Sequence, residues 1–404
     1  MIPVKEALNI ILKNLPEKKV ITKPLLESAG YVLAEDIRSD IDLPPFDKSA
    51  MDGFAVKHTD IKKIPATLEL IDTVAAGSKS NKAVSNGKTI KIMTGAPVPK
   101  GADTVVMKEL TQEQGHRVSF LAQTEQNANI CYKGEDLKKG DKVLAKGSLI
   151  GPAQISVLAT VGKASLKVFH KPSIAILTTG DELVEVNKKP RGAQIRNSNS
   201  YLLMAQIKQF GLKPENLGIA RDTIQNLTAK IKQGLKRDIL IITGGVSAGD
   251  YDIVEPVLKK LGVKLLFDTV AIKPGKPFVF GIRNNNSKSA IRNPQSIIFA
   301  LPGNPVSSFV ITEIFIHEAI ARITDNHSLK PRYTYAKLAK GKINKHERQQ
   351  YIPAIYDEQK DTVLPVTWHG SADVIGLSKA NSLIIVPRNS NPVSHGDSVQ
   401  ICLI

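Results

Sequence analysis

The 404-residue sequence has few cysteines, few aromatic residues and no long apolar run. Its two cysteines, Cys131 and Cys402, lie far apart with no histidine at metal-ligand spacing, which argues against a disulfide framework or a zinc site. Aromatic residues make up 5% of the chain, so a stacking platform for single-stranded nucleic acid is not expected. The absence of an apolar leader and of a bilayer-length apolar segment predicts a soluble, cytoplasmic protein with no membrane partner.

Several common catalytic motifs are also absent from the sequence, which has no HExxH, GxSxG, GxGxxG or paired CxxC motif and only dispersed histidines. Gly244 and Gly249 have the GxxxxG spacing of a phosphate-binding loop, but Asp250 and Tyr251 replace the required Lys and Ser/Thr. We therefore reject a nucleotide-hydrolysing P-loop. This turn presents Asp250 either to Mg²⁺ or a proton, or simply to solvent.

The chain carries an excess of positive charge, with 55 Lys and Arg against 38 Asp and Glu and a net charge of +17. The lysines occur as scattered doublets and not as a long basic run, which favours a solvated, lysine-coated surface over a nucleic-acid partner. The same charge raises the arrival rate of an anionic substrate.

Changes in hydrophobic periodicity predict four domains. Apolar residues at helical spacing predict helices within residues 3–35, one of them at Leu25–Ala34, and a later helix at Pro152–Gly162. Short alternating runs between these regions indicate an inserted β-rich unit. The expected domains are a discontinuous helical N-terminal domain (1–41 and 146–170), an inserted β-rich domain (42–145), an α/β domain (171–325) and a small C-terminal β-barrel (326–404).

The α/β domain is expected to form a doubly wound sheet, because short apolar runs alternate with helical patterns. The predicted strands are Ile174–Leu177, Leu217–Arg221, Ile239–Thr243, Val263–Ile272 and Ile297–Leu301. The predicted helices are Ser200–Gly211, Thr223–Leu235 and Pro305–Arg322. The polar segment Arg283–Pro294 is interpreted as an exposed hairpin. The expected fold class is therefore α/β plus β.

Three polar, glycine-containing runs follow predicted strands of this sheet as loops, at Leu177–Leu183, Ile242–Tyr251 and Leu301–Ser308. Ligands of open α/β sheets bind at the carboxyl ends of the strands. Because three such loops converge on one edge, we expect a site for a phosphorylated or otherwise anionic ligand.

The third loop predicts an anion site at the start of a helix. Pro305 suits the first helical position, Asn304 is a good N-cap, and Ser307 and Ser308 lie in the first turn. Free amides at such a helix start bind anions. An ordinary capped helix would carry the same residues, and only the two neighbouring loops favour a ligand.

Carboxylates and ammonium groups supply candidate chemistry near these loops. Asp181 and Glu182 are adjacent and could hold a hard cation, or one could act as acid or base, or Asp181 could cap the next turn. Lys273 and Lys276 lie on a proline-stiffened turn that suits a phosphate or another oxyanion, although lysine-bearing surface turns are common.

Together and in this order, these segments resemble the molybdopterin molybdenumtransferase family, which inserts molybdate into molybdopterin and includes the C-terminal domain of gephyrin. The matching stretches are PPFDKSAMDGFAV (44–56), IMTGAPVPKGAD (92–103), GED (134–136), TTGDEL (178–183), IRNSNSYLL (195–203), ITGGVSAGDYD (242–252), AIKPGKPFVFG (271–281) and LPGNPVSS (301–308). They span nearly the whole chain, so the resemblance is far more specific than any single motif.

The resemblance implies an elongated homodimer that uses Mg²⁺, takes molybdate and adenylylated molybdopterin as substrates, and follows a molybdopterin adenylyltransferase. The implied catalytic residues are Asp52, Thr94, Glu182, Asp250, Lys273 and Lys276, with Asp136 as a further functional carboxylate. The implied substrate-binding residues are Thr179, Gly180, Asp181, Ser198, Asp222, Gly244, Gly245, Ser247, Pro302, Gly303, Asn304, Pro305, Ser307 and Ser378. The implied metal ligands are Glu182, Asp222 and Asp250, and which carboxylate carries protons stays open.

The chain departs from the family in its C-terminal region. The family has an arginine after a Gly-Arg pair and an aromatic residue, whereas the run Arg348-Gln-Gln-Tyr-Ile-Pro353 places a proline there. We also expect each active site of the dimer to draw Asp52 from one chain and Glu182 and Asp250 from the other.

Two other functions compete with the transferase. Residues 171–325 alone would also support a molybdopterin adenylyltransferase, but the segments at 44–56 and 92–103 favour the transferase. A non-catalytic scaffold like gephyrin would have no use for the carboxylates at Asp52, Glu182 and Asp250.

Overall fold

The computed structural model describes residues 1–246, 253–284 and 296–404. The described residues form two compact units. The larger unit comprises residues 1–23, 30–34 and 167–404, and the smaller unit comprises residues 24–29 and 35–166. This division is coarser than the four expected domains, whose boundaries stay a prediction. The expected hairpin at Arg283–Pro294 falls largely outside the described residues.

The smaller unit consists mainly of β-structure. Its six-stranded sheet contains, in spatial order, the strands Thr104–Met107, Gly53–Val56, Lys88–Ile92, Ala66–Val74, Arg117–Phe120 and Thr111–Gln114. Two short antiparallel pairs join Ile37–Arg38 with Lys142–Leu144 and Lys48–Ser49 with Ile130–Cys131. A helix at Pro152–Thr160 and short 3₁₀ turns at Leu26–Ser28, His58–Ile61 and Lys108–Leu110 complete it. Phe54 packs edge-to-face on Phe120 inside the sheet's core.

The prediction of helices throughout residues 3–35 is wrong after the first one. The helix Val4–Lys13 is present, but Val20–Pro24 is a strand and only a 3₁₀ turn occupies Leu26–Ser28 of the expected helix Leu25–Ala34. The β-branched residues of the strand favour extended backbone. Gly30 has φ +73°, a left-handed conformation that a continuing helix cannot contain.

The larger unit contains a mixed six-stranded sheet. We label its strands β1 to β6 in chain order: Ile174–Thr179, Glu215–Ala220, Ile239–Thr243, Lys264–Thr269, Pro277–Arg283 and Ser296–Leu301. Their spatial order is β2-β1-β3-β6-β5-β4. Strands β1, β2, β3 and β6 are parallel, and β5 is antiparallel to both of its neighbours, β6 and β4. The expected strand Val263–Ile272 ends early, because Ile272–Lys273 forms a separate strand that pairs elsewhere.

Helices cover both faces of this sheet. They are Asn199–Lys208, Ile224–Gly234, Val254–Lys260, Pro305–Ile311 and His317–Thr324, with a π-helical turn at Thr312–Ile316 joining the last two. Successive residues of the central strands enter two different apolar clusters; Ile241 faces one and Ile242 the other. Burial on both faces explains why these strands are continuous apolar runs in the sequence.

The C-terminal region forms a closed five-stranded barrel. Its strands, β7 to β11, are Arg332–Leu338, Gln349–Asp357, Thr362–Pro365, Ser382–Val386 and Ser398–Leu403. Neighbours follow the order β8-β9-β7-β11-β10, and pairing of β8 with β10 closes the circle. A short helix at Val374–Leu377 lies between β9 and β10. No helix in the described parts of the chain is long and apolar enough to cross a membrane.

Replacing Ile242 by alanine tests the importance of the sheet core. Ile242 is fully buried in β3, so Ile242→Ala should lower the free energy of unfolding by about 2–5 kcal/mol. Ile224, whose side chain is 59% exposed at the start of a helix, provides the matched control, and Ile224→Ala should change stability by no more than about 0.5 kcal/mol. Urea unfolding followed by circular dichroism measures both. Equal losses would contradict the assignment of Ile242 to the core.

Candidate functional site

The three polar loops start side by side at the carboxyl edge of the sheet. Thr178 of β1 is paired with Thr243 of β3, and Thr243 is paired with Leu301 of β6. The loops leave these neighbouring strands around a cleft of about 1060 Å³. The loops therefore converge as expected, because the pairing of the strands places their ends side by side.

Most of the predicted site residues of the larger unit line this cleft. They are Thr179, Gly180, Glu182, Ser198, Asp222, Gly244, Gly245, Lys273, Lys276, Pro302, Gly303, Asn304, Pro305 and Ser307. Asp181 and Ser378 are not among the lining residues. The Ser378 hydroxyl donates to the Ile375 carbonyl, 2.9 Å away, at the end of a short helix. Ser247 and Asp250 lie outside the described residues.

Glu182 and Asp222 form the acidic side of the cleft. The Thr179 hydroxyl donates to Asp222 Oδ1 at 2.7 Å, and the Asp181 amide donates to Oδ2 at 3.3 Å. The Asp222 amide in turn donates to Asp181 Oδ1 at 3.2 Å, so these two residues together fix the conformation of the loop. A Cβ atom on Gly180 would lie 2.7 Å from both carboxylate oxygens of Glu182, which shows that this carboxylate folds back over the glycine.

Lys273, Lys276 and Arg348 form the basic side of the cleft. Both lysines are exposed on the turn between β4 and β5, and Arg348 precedes barrel strand β8. The strand Ile272–Lys273 pairs with Gln349 and Gln350 of the barrel, which brings Arg348 to the lysine turn. Because β2 and β1 lie at one end of the sheet order and β5 near the other, the acidic and basic sides are separated.

The helix start after β6 differs from the row of free amides that the sequence predicts. Asn304 occupies the N-cap position but its side chain makes no capping bond; its Nδ2 donates instead to Ser371 Oγ at 2.8 Å. The Val306 amide donates to the Ser371 carbonyl and the Ser308 amide to the Asn304 carbonyl. Asn304 is therefore the N-cap residue, as predicted, but its side chain bonds to Ser371, far along the chain, and not to the first turn of the helix.

Buried polar atoms without a hydrogen-bond partner are concentrated at the cleft. The described residues contain eleven such side-chain atoms, and four belong to cleft-lining residues. These four are Thr178 Oγ1, Asn197 Nδ2, Asn199 Oδ1 and Arg348 Nε. Buried polar groups are normally paired in folded proteins. Their concentration here indicates groups that a bound polar ligand satisfies.

Asp52 and Thr94 belong to the smaller unit and form a local cluster there. The backbone amide and the hydroxyl of Thr94 both donate to Asp52 Oδ1 at 2.8 Å, and Lys108 Nζ lies 3.6 Å from Oδ2. The Thr94 amide, followed by its hydroxyl and by Lys108, holds the pKa of Asp52 below its ordinary value. Asp52 is therefore an ionised acceptor at neutral pH. Asp136 of the same unit is exposed, and its amide donates to the Leu43 carbonyl.

Sequence reasoning did not assign several polar residues that line the cleft, among them Arg196, Asn197, Asn199, Arg348 and Ser371. It assigned Ser378, seven positions after Ser371, and treated Arg348 only as a landmark for Pro353. The run Trp368-His-Gly-Ser371 carries the signal of the three loops, a glycine beside polar residues after an apolar run. That signal was available for Ser371 but not for Arg348.

Position 244 requires glycine, because of both its backbone conformation and the atoms that surround it. Its φ is +95°, and an added Cβ atom would lie 2.2 Å from the Thr179 carbonyl oxygen. Gly244→Ala should therefore destabilise the protein by more than about 2 kcal/mol, because β1 and β3 must separate at the cleft. Gly262 has φ +79° but no atom within 4 Å of the added Cβ, so Gly262→Ala should cost only about 1 kcal/mol. Denaturant unfolding of both variants checks this, and a Gly244 variant no less stable than its control would refute it.

Three family profiles match consecutive parts of the chain. The MoeA N-terminal region (domain I and II) matches residues 2–162, a probable molybdopterin binding domain matches residues 175–322, and the MoeA C-terminal region (domain IV) matches residues 335–404.

Similar proteins cover the whole chain. Molybdopterin molybdenumtransferases of Staphylococcus aureus (strain Mu50) and Staphylococcus epidermidis (strain ATCC 35984) are each 34% identical over 409 residues, covering 100% of this chain and 95% of the relative. A crystal structure of a molybdopterin biosynthesis MoeA protein from Pyrococcus horikoshii matches with a TM-score of 0.83 and 27% identity, over 100% of this chain and 99% of that one. A crystal structure of a molybdopterin biosynthesis MoeA protein from Pyrococcus horikoshii OT3 matches with a TM-score of 0.78 and 29% identity, over 100% of both chains. The chain therefore belongs to the molybdopterin molybdenumtransferase family.

Proposed function

We propose that this protein inserts molybdate into adenylylated molybdopterin, with hydrolysis of the adenylate, to form the molybdenum cofactor. The observation that carries the proposal is the cleft, which has an acidic side, a basic side and buried unpaired polar atoms along its lining. A polyanionic substrate and a separate oxyanion suit this division of charge. Family membership over the whole chain supports the same chemistry.

Adenylylated molybdopterin would lie along the loops at residues 178–183, 242–246 and 301–308. These loops offer the unpaired Thr178 hydroxyl, which accepts from or donates to a polar ligand, and Ser307, which lines the cleft. The unpaired amide oxygen of Asn199, at the start of a neighbouring helix, accepts only. Molybdate would approach Lys273 and Lys276, because an oxyanion is stabilised by a cationic turn.

Mg²⁺ is normally bound in proteins by one or two carboxylates together with substrate phosphates. Among the described residues, no group of three or more His, Cys, Asp or Glu side chains could hold a metal alone. Glu182 and Asp222 supply two carboxylate groups, which fits an Mg²⁺ ion that would also be bound by the pyrophosphate of the substrate. Bound there, the ion would offset the charge of the pyrophosphate. Asp250, the third predicted ligand, lies outside the described residues.

The two carboxylates are suited to different tasks. Both oxygens of Asp222 accept hydrogen bonds, which fixes its orientation. Glu182 is exposed at the cleft and is therefore better placed to accept a proton from water. Attack of that water on phosphorus breaks the anhydride P–O bond, and AMP leaves while the phosphate stays on the pterin. In molybdate insertion, two S–Mo bonds form and one oxygen leaves as water with the two thiol protons.

The competing functions have less support. An adenylyltransferase would account for the match at residues 175–322 but not for those at residues 2–162 and 335–404. A scaffold without catalysis would not account for the fixed carboxylate of Asp222.

We place the reaction in the cytoplasm, which accords with the free thiols of Cys131 and Cys402, neither of which forms a disulfide.

Replacing Glu182 by glutamine tests the assignment of the proton acceptor. Glu182→Gln should slow AMP release from adenylylated molybdopterin about 100-fold, because an amide cannot take the proton from water. Molybdate binding should stay normal, since Lys273 and Lys276 are unchanged. The matched control is Glu185→Gln, three positions away and not among the cleft-lining residues. Both variants are assayed with purified substrate, molybdate and Mg²⁺; a normal rate for Glu182→Gln would remove this residue from the mechanism.

We further propose that the protein works as a homodimer in which Asp52 and Thr94 of one copy complete the cleft of the other. A two-fold dimer creates two equivalent composite sites in this way. The ionised Asp52, held by two hydrogen bonds from Thr94 and still partly exposed, gives the smaller unit a carboxylate of fixed orientation to offer to a partner copy.

Mixing two inactive variants tests this arrangement. Asp52→Ala and Glu182→Ala should each be inactive alone, but after subunit exchange one site of the mixed dimer carries both substitutions and the other carries neither. We expect the mixture to recover up to about one quarter of wild-type activity, from random pairing of copies into two-fold dimers. Exchange is verified with differently tagged chains. Demonstrated exchange without recovery would mean that the site is built within one chain.

A further inference from the structure

Lys171 is a half-buried ammonium group at the amino end of the sheet in the larger unit. It lies three residues before β1, whose opposite end borders the cleft. Its Nζ donates to the Gly211 carbonyl at 3.3 Å and lies 4.5 Å from the centre of the Tyr31 ring. In the described parts of the chain, no carboxylate forms an ion pair with Lys171. The amine is therefore held by one long hydrogen bond and one aromatic face.

The surroundings of this amine are largely apolar. A small cavity of about 10 Å³ lies beside Lys171, and Phe169 and Phe210 form part of its lining. The described residues that line the cavity include no second charged side chain. Asp325 lies close in the chain to two of the lining residues, but it is ion-paired with Lys18. With no charge to compensate, burial lowers the pKa of Lys171.

Two glycines leave the nitrogen of Lys171 uncovered. Gly30 and Gly211 have φ of +73° and +66°, and an added Cβ atom would lie 3.5 Å and 3.3 Å from Lys171 Nζ, respectively. Each of these turns is thus made by a residue that has no side chain to cover the amine. A lysine that is desolvated in apolar surroundings loses its proton readily, and its lone pair is then free to act as a nucleophile.

We propose that Lys171 is a modification site, a nucleophilic lysine that is acylated by small acyl phosphates. The neutral Nζ attacks the carbonyl carbon of the acyl phosphate, and an N–C bond forms. The C–O bond to the phosphate breaks, inorganic phosphate leaves with the bonding electrons, and the amine proton goes to water. The product is a neutral amide, which ends the attraction between the cation and the Tyr31 ring.

The chemistry of the acyl donor follows from the charge of the chain. A net charge of +17 attracts an anionic reagent such as an acyl phosphate to the whole surface. Because every lysine shares this advantage, the preference for Lys171 comes from its uncompensated, uncovered amine. The inference goes beyond the proposed function, since Lys171 lies at the end of β1 that is remote from the cleft.

Incubation of the purified full-length protein with acetyl phosphate tests the proposal. After quenching and denaturation, the remaining amines are labelled with deuterated acetic anhydride, so that mass spectrometry gives the acetylated fraction of each lysine. Near neutral pH, Lys171 should react at least about threefold faster than Lys208, an exposed lysine at the end of a helix. The rate at Lys171 should also level off at a lower pH, because its lowered pKa makes the amine neutral there.

Substitution of each lysine by arginine keeps the charge and removes the nucleophile. Lys171→Arg should abolish the adduct that forms first in intact-mass measurements, whereas the matched control Lys208→Arg should retain it. A wild-type rate at Lys171 no higher than at Lys208, or an equal pH at which both rates level off, overturns the proposal. Persistence of the first adduct in Lys171→Arg has the same consequence. If Lys171→Arg does not fold by circular dichroism, the wild-type rates decide the question.

Discussion

The cleft depends on one buried hydroxyl group, that of Thr243 at the end of β3. It accepts a hydrogen bond from Asn199 Nδ2 at 2.9 Å and donates to the Pro302 carbonyl at 3.0 Å. Asn199 also donates to the Gly303 carbonyl at 2.7 Å, so the helix after β1 and the loop after β6 are tied to the central strand. Because Thr243 is fully buried, water cannot replace these bonds. The spacing of the loops, and hence the width of the cleft, follows from this junction.

The cleft separates charge because its two sides come from different parts of the fold. Glu182 and Asp222 follow β1 and β2, whereas Lys273 and Lys276 precede β5 and Arg348 precedes β8. If the carboxylates and the cations were neighbours, they would form ion pairs with each other, and little electrostatic potential would remain to attract a charged ligand. Separation across the sheet leaves each side available to a charge of opposite sign.

The sequence predicted those parts of the site that are local along the chain. Strands β1, β3 and β6 are continuous apolar runs, and the polar residues that follow them necessarily meet at one edge. Ser371 carries a similar local signal and Arg348 carries none, but neither could be placed at the cleft in this way, because barrel closure and the pairing of Ile272–Lys273 with β8 bring them there. The missing side-chain capping bond at Asn304 has the same cause, since the Asn304 amide donates to Ser371, 67 positions away. At these positions, contacts between residues distant in the sequence decide the structure, and local propensity does not.

The strand Ile272–Lys273 explains why a barrel and an α/β sheet are needed together. It leaves the sheet after β4, pairs in parallel with Gln349 and Gln350, and returns to the sheet as β5. The lysine turn is thereby held by both substructures, and Arg348 reaches it from the barrel side. A sheet alone would present the three polar loops, but the basic side of the cleft would lack both Arg348 and the strand that anchors the lysines. The basic side of the cleft is therefore a property of this junction, which is why Lys273, Lys276 and Arg348 do not lie in any single contiguous motif.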